Sequence, residues 1–328
     1  MKVLVTGGAG YIGSHTVHEL VERGYEVVVV DTLELSDKRS VRNVSLRAGS
    51  VTDAAFLDAV FEQEKPEAVI HFAAYKAPGE SMSEPTKYFR NNVEGLVTLL
   101  DTMVHHNVRS IVFSSSCSIF GNPEHLPVTE DAPRGPESVY GETKLMGETV
   151  LKWYDVTKRI RSSALRYFNA SGASLDGSIG ENWNLTHNLI PLVMKAAAGY
   201  SEAITVFGTD YATPDGTAIR DYVHVVDLGV AHVKALEQLM REDRSTTYNL
   251  GTGTGNSVQE VVTAAKRVTG VDFKVIYGPR RPGDPAAVWA DCTKAEGELG
   301  WKAQYGLETI LETAWRWHSA NYKVGSSK

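Results

Sequence analysis

The sequence predicts an α/β protein: a doubly wound parallel sheet with a smaller, discontinuous C-terminal α/β unit. Three observations carry that prediction. Through the first half of the 328 residues, short β-branched runs alternate with longer helical patterns, the rhythm of a parallel sheet covered by helices on both faces. Residues 27–30 are all valine, apolar without alternation, as a strand buried on both faces requires. After Tyr167 the chain becomes rich in Gly, Ser and Asn, and the alternating rhythm returns only at Ile219.

In chain order, strands are expected at 2–6, 26–31, 68–72, 109–115 and 161–166, with helices at 11–23, 53–64, 84–106 and 138–157 between them. A strand at 219–225, a helix at 226–240 and a strand at 246–250 then rejoin the first unit. The predicted division is 1–168 with 219–250 as one domain, and 169–218 with 251–328 as the other. The second glycine run, Gly251 to Gly255, lacks the Lys of a phosphate loop. Ser257 and Glu260 after it have capping-box spacing, so the run reads as a strand-to-helix connection.

The net charge of -7 makes nucleic acid and anionic membranes poor partners. Any phosphate-bearing ligand must be held by local backbone amides and a few arginines. Cys117 and Cys292 are far apart with no C-x-x-C spacing, which predicts reduced thiols in a cytoplasmic protein and no metal site. His105-His106 reads as a solvated helix end rather than a metal pair. No apolar run approaches the ~20 residues that span a bilayer.

Gly7-Gly8-Ala9-Gly10-Tyr11-Ile12-Gly13 follows the first strand directly and opens a helix. Gly8, Gly10 and Gly13 satisfy G-x-G-x-x-G, and Gly7, Gly10 and Gly13 the related G-x-x-G-x-x-G form. Missing side chains let the backbone approach a pyrophosphate, whose charge meets the amides and dipole of the helix that begins near Tyr11. This context makes the first unit Rossmann-like. Asp31 closes the second strand eighteen residues after Gly13, where a carboxylate accepts from ribose hydroxyls and repels a 2′-phosphate. The expected cofactor is NAD, with Lys38-Arg39 read as a solvated loop.

Tyr140-Gly-Glu-Thr-Lys144 places a phenol and an ammonium four residues apart on one helical face, after the serine run Ser114-Ser115-Ser116. A free phenol with pKa ~10 is only about 0.1% ionised at pH 7. A lysine charge about 4 Å away is expected to stabilise the phenolate by ~4 kcal/mol, or roughly three pKa units. Tyr140 is therefore the candidate acid/base and Lys144 the group that lowers its pKa.

Together with the glycine loop, these motifs resemble the extended short-chain dehydrogenases, and more closely the UDP-glucose 4-epimerases. The similarity runs through H-F-A (71–73), N-N-V (91–93), F-S-S-S (113–116), L-R-Y-F-N (165–169), R-D-Y-V-H-V (220–225) and R-R-P-G-D (280–284). It implies oxidation of a UDP-hexose at C4, turning of the keto sugar, and return of hydride to the other face. It implies that Ser116 bonds the reacting oxygen and that Lys144 also holds the nicotinamide ribose. Val51, Phe72, Ala73, Lys76, Asn91 and Tyr167 match positions that line the cofactor. Asn169, Asn188, Leu189, Phe207 and Arg220 match positions that hold the UDP portion, as do Val258, Arg281 and Asp284. Val288 stands where a tyrosine would restrict the sugar pocket to plain hexoses, which implies that UDP-GlcNAc and UDP-GalNAc are also substrates.

The resemblance also implies a homodimer joined through helices 84–106 and 138–157, with Val97, Leu100, Met103, Val150 and Trp153 as the surplus apolar positions. Two departures stand out. Ser50 replaces an Asp that often contacts adenine, which loosens cofactor retention, and Phe120 replaces a Tyr after the serine run. Competing readings are a UDP-glucuronate or UDP-pentose epimerase, a nucleotide-sugar 4,6-dehydratase and a non-catalytic NAD-sensing regulator. The dehydratase needs an adjacent Asp-Glu where this chain has Ser116-Cys117-Ser118. Intact Ser116, Tyr140 and Lys144 disfavour the regulator.

Overall fold

The structure is a computed structural model that describes residues 1–186, 188–281 and 284–322. Seven parallel strands form the main sheet: β1 (Lys2–Thr6), β2 (Glu26–Asp31), β3 (Ser45–Ala48), β4 (Ala68–His71), β5 (Ser110–Ser116), β6 (Arg161–Tyr167) and β7 (Thr246–Leu250). Their spatial order is β7-β6-β5-β4-β1-β2-β3. The order reverses between β1 and β4, so the loops that leave those two strands open a crevice at the carboxyl edge of the sheet, where ligands of such sheets bind. β3 is the strand that sequence patterning does not foresee.

The long helices are α1 (Tyr11–Glu22), α2 (Ala54–Glu64), α3 (Gly95–His105), α4 (Val139–Lys158), α5 (Leu189–Ala197), α6 (Val225–Glu242), α7 (Val258–Thr269) and α8 (Leu307–Asn321). α1 and α6 cover one face of the sheet, where Val27 and Val29 pack with Val17, Leu20, Leu228 and Leu236. α2, α3 and α4 cover the other, where Val28 and Val30 pack with Leu57, Phe61, Leu99, Met103 and Leu151. The four valines thus divide between two apolar layers, which is why their run shows no alternation. The helix expected over 84–106 is interrupted: Pro85–Tyr88 is α-helical, Phe89–Glu94 forms a π-turn, and α3 follows.

A further apolar cluster gathers Trp183, Met194, Val262, Phe273 and Leu311, which come from α5, α7, α8 and the segments between them. Beside it, Ile219–Arg220 pairs antiparallel with Asn256–Ser257 and parallel with Ala287–Val288, so Val288 lies opposite Arg220. The capping box at Ser257 forms as the sequence implies and starts α7. Among the described residues, no helix is long and apolar enough to cross a membrane.

Candidate active site

The glycine loop leaves β1 and opens α1, and its glycines stand at close approaches. Gly7 has φ of +70°, and a Cβ there would lie 2.6 Å from the Ala73 amide nitrogen, in the loop that leaves β4 beside Phe72. A Cβ on Gly13 would fall on the Gly7 carbonyl oxygen. Gly10 caps α1, and the first turn, Tyr11-Ile12-Gly13, carries no acidic group, so the amides and positive end of the helix dipole face the crevice. Asp31 points back at this loop. Its Oδ2 accepts from the Ala9 amide at 3.0 Å, and its Oδ1 from the Leu33 amide at 2.9 Å and the Ser36 hydroxyl at 2.7 Å. Arg39 is turned onto Asp37 and is 80% exposed, as a solvated loop residue should be. The residues present fit a dinucleotide: a cradle that any side chain would fill, under a carboxylate placed for a ribose.

Around this cradle stand the other expected cofactor residues. Val51 is buried against Gly95. Phe72 packs 4.6 Å from the His232 ring, and the Asn91 amide donates to Asn92 Oδ1 at 3.0 Å. Asn92, not Asn91, is the buried one; its amide donates to the Tyr75 carbonyl and to Thr143 Oγ1, fastening the π-turn to α4. The Tyr11 hydroxyl donates to the Gly172 carbonyl at 2.7 Å, and burial with the Glu181 charge holds that phenol well above its ordinary range. Lys76 Nζ lies 3.2 Å from Glu181 Oε1 and 5.8 Å from the Tyr11 ring centre.

α4 begins at Ser138, whose hydroxyl accepts from the Gly141 amide at 3.1 Å. Tyr140, Lys144 and Glu148, each four residues apart, share one face of this helix. All three look onto the ends of β5 and β6. Lys144 Nζ donates to the Ser114 carbonyl at 2.7 Å, Ser114 Oγ meets the Tyr167 hydroxyl, and Ser116 Oγ accepts from the Ser118 amide at 3.1 Å. One turn further, the Glu148 carboxylate receives the Ser115 hydroxyl at 2.6 Å and the fully buried Arg166 at 2.8 and 2.7 Å. The helix that carries Tyr140 is therefore fastened to β6 by a buried ion pair and to β5 by the Ser115 hydroxyl.

The electrostatics correct one expectation. Burial pushes the Tyr140 phenol up to about 12, with the Ser116 hydroxyl opposing the rise. Burial also pushes the Lys144 ammonium down to about 7. Lys144 Nζ is 5.9 Å from the Tyr140 ring centre and is directed at the Ser114 carbonyl, so in the protein alone its charge does not bring the phenol toward neutrality. Desolvation of both groups outweighs their attraction.

Among the residues expected to hold UDP, Arg220 NH2 lies 3.4 Å from Asp284 Oδ1, and the Arg281 guanidinium sits 4.1 Å from the Phe207 ring centre. Asn169 is exposed at the end of β6, its amide donating to the Asp221 carbonyl at 2.9 Å. Asn188 and Leu189 open α5, and Val258 opens α7. Val288 is buried with Phe120, Phe168 and Cys292. Pro282 and Gly283 of the R-R-P-G-D segment lie outside the described residues. The second glycine run wraps the buried Asp221, which accepts from the Thr252 amide at 2.8 Å, so its small residues make room for a carboxylate and form a connection. His105 and His106 both bond the same Asp58 oxygen at 2.8 Å, and the three groups lie close enough together to hold a metal ion where the sequence suggests only a solvated helix end.

Glu181, Glu148 and Arg166 are site neighbours that sequence reading misses. Glu148 repeats the four-residue spacing of Tyr140 and Lys144 and was there to be found; Glu181, an isolated acid in a loop, gives no such signal.

A family model described as GDP-mannose 4,6 dehydratase matches residues 4–314. A UDP-glucose 4-epimerase of Bacillus subtilis (strain 168) is 47% identical over 331 residues, covering 98% of this chain and 98% of that protein. The solved UDP-glucose 4-epimerase of Stenotrophomonas maltophila, with NAD and formylated UDP-arabinopyranose bound, superposes with a TM-score of 0.95 at 42% identity, covering 98% of each chain. The UDP-Glc/GlcNAc 4-epimerase of Campylobacter jejuni gives a TM-score of 0.86 at 37% identity, covering 97% of this chain and 99% of that one. With the glycine cradle after β1 and the Tyr140 and Lys144 helix over β5 and β6, the chain belongs to the UDP-glucose 4-epimerase family of extended short-chain dehydrogenases.

Proposed function

We propose that this protein is an NAD-dependent UDP-sugar 4-epimerase that interconverts UDP-glucose and UDP-galactose, and that it also accepts UDP-GlcNAc and UDP-GalNAc. The observation that carries the reading is that Ser116, Tyr140 and Lys144 meet at the carboxyl ends of β5 and β6, with the Arg220 charge reaching Cys117 next to Ser116, in a chain whose first strand leads into the glycine cradle. Gly7, Gly10, Tyr11, Ile12, Gly13, Asp31, Val51, Phe72, Ala73, Lys76, Asn91 and Tyr167 hold NAD, which when bound supplies the hydride acceptor and donor for C4 of the sugar. Tyr140 removes the C4 hydroxyl proton and later returns it, while Ser116 bonds that oxygen. Positive charge beside a phenol held near 12 would stabilise its anion, so a bound oxidised nicotinamide would favour the basic form of Tyr140. Lys144, pushed down to about 7, exchanges a proton readily near neutral pH. Arg220 and Arg281 suit diphosphate oxygens, and Asp284 suits ribose hydroxyls. Ser116-Cys117-Ser118 lacks the acid pair that a dehydratase uses for water elimination. Incubation with UDP-galactose and NAD should yield UDP-glucose; no turnover across a panel of UDP-hexoses, pentoses and glucuronate, despite NAD binding, would leave an NAD-sensing regulator.

The wider sugar range rests on the resemblance at position 288, since the Val288 side chain itself is packed in an apolar cluster. It is 6% exposed beside Phe120 and Phe168, opposite Arg220, and a tyrosine there would push atoms into a packed wall, which costs ~1–3 kcal/mol. Wild type should turn over UDP-GalNAc, and Val288→Tyr should cut its kcat/KM at least tenfold relative to UDP-galactose. An unchanged ratio would remove Val288 as the gate.

We assign 1–168 with 219–250 to the cofactor and 169–218 with 251–328 to the nucleotide sugar. The cluster around Trp183 draws on the second set, save Tyr222. A homodimer through α3 and α4 is supported by Met146, Trp153 and Val156, 39%, 60% and 69% exposed on α4. Leu100 and Met103, expected at that interface, are instead buried in the chain's own core. A monomer mass in light scattering at micromolar concentration would exclude the dimer. Cys117 and Cys292 are free thiols, which suits a reducing, cytoplasmic setting.

A further inference from the structure

We infer that Glu181 is a positioning residue that joins the cofactor side of the crevice to the nucleotide-sugar side, so that each ligand tightens the binding of the other. The inference rests on the reading of Lys76 as a residue of the cofactor site and Asn188 as a residue of the UDP site, and takes a diphosphate of each ligand as the group they meet. One carboxylate oxygen carries it: Glu181 Oε1 accepts from Lys76 Nζ at 3.2 Å and from Asn188 Nδ2 at 3.1 Å. The Glu181 side chain is 5% exposed, whereas that of Lys76 is 52% exposed.

A carboxylate this buried is stable only when its partners stay in place. Glu181 is itself held by α8, because its carbonyl accepts the Trp317 indole N–H at 3.0 Å. Its two partners come from different places: Lys76 from the loop after β4, and Asn188 from the head of α5. Asn188 occupies the N-cap of α5, yet among the described residues its side chain makes no cap bond and is given to Glu181 instead. Because a carboxylate only accepts, it fixes which end of the Asn188 amide faces it. Each partner still keeps N–H donors for a phosphate: two on the ammonium and one on the amide nitrogen. A diphosphate that orders Lys76 therefore orders Glu181, and through it Asn188, and by linkage the reverse holds to the same factor.

The test is the equilibrium affinity of the full-length protein for NAD, measured by dialysis with and without saturating UDP, and the reverse titration of UDP with and without NAD. In wild type each ligand should tighten the other by about tenfold, within the usual range of such coupling. In Glu181→Gln, which keeps the shape and loses the charge, the factor should fall below about twofold. In a Lys76→Met background, Glu181→Gln should cause no further loss of NAD affinity, a result that a merely structural role for Glu181 would not give. Should Glu181→Gln fail to fold, Asn188→Ala cuts the same link from an exposed residue and should abolish the coupling by itself. Independent binding of NAD and UDP to wild type, or tenfold coupling retained in Glu181→Gln or Asn188→Ala, would overturn the inference and leave the site reading intact. Wild type that binds neither ligand would overturn both.

Discussion

Tyr140 and Lys144 share one buried helical face, yet burial drives their proton affinities in opposite directions, up to about 12 for the phenol and down to about 7 for the ammonium. Each shift opposes the charged form, so in the protein alone the phenol stays protonated while the ammonium is about half charged near pH 7. Tyr140→Phe deletes the proton acceptor and almost no volume; kcat should fall by about 10²–10⁴-fold while the unfolding midpoint stays within a few degrees. More than about a tenth of wild-type kcat would remove the assigned role. The identities of these groups were legible because a four-residue spacing on a helix survives any packing. Their proton affinities were not, because they depend on which strand ends close over the helix and on Lys144 turning to the Ser114 carbonyl. Glu181 was illegible for a related reason: its partner Lys76 is 105 residues away, and no spacing rule connects a loop to a loop.

At the scale of the element, the glycine loop was the most legible part, because its requirement is steric and local. Gly13→Ala places a methyl group on the Gly7 carbonyl, which must shift and carry the cradle with it. NAD affinity should drop at least tenfold, with a loss of stability of about 1–3 kcal/mol for the overpacking. Equilibrium dialysis beside urea unfolding checks both, and unchanged NAD affinity would mean that the cradle is not the diphosphate site. β3 escaped sequence patterning because Ser45-Leu46-Arg47-Ala48 is an edge strand with one large apolar residue, held largely by its pairing with β2. The helix expected over 84–106 kept its extent and lost its regularity, since the π-turn at Phe89–Glu94 inserts Asn91 and Asn92 beside Tyr75 and Thr143. Side-chain amides fastening an irregular turn leave no trace in hydrophobic periodicity.

Across the whole molecule, the fold class followed from strand and helix alternation, because a sheet buried on both faces admits few other arrangements. What alternation could not show was the cost of filling those layers with histidine. His15 and His232 are held down to about 4, and His71, His224 and His318 to about 3, in each case first by burial. With an unfolded value of ~6.5, the unfolded chain binds more protons than the folded one below that pH, so stability is present above about pH 6.5 and is lost as pH falls toward the folded values. Between pH 7.5 and 5.5 each such group removes about 1.4 kcal/mol, about 7 kcal/mol for the five, comparable with the whole stability of many domains. Urea unfolding at the two pH values should show a markedly lower midpoint at 5.5, and equal midpoints would mean that these histidines are not neutral and buried. The function assigned to the molecule as a whole is stereochemical inversion at C4 by hydride removal and return within one crevice. Conversion of UDP-galactose deuterated at C4 tests it most directly. The account predicts UDP-glucose that keeps its deuterium at C4 with no net NADH, and deuterium lost to solvent water during conversion would contradict it.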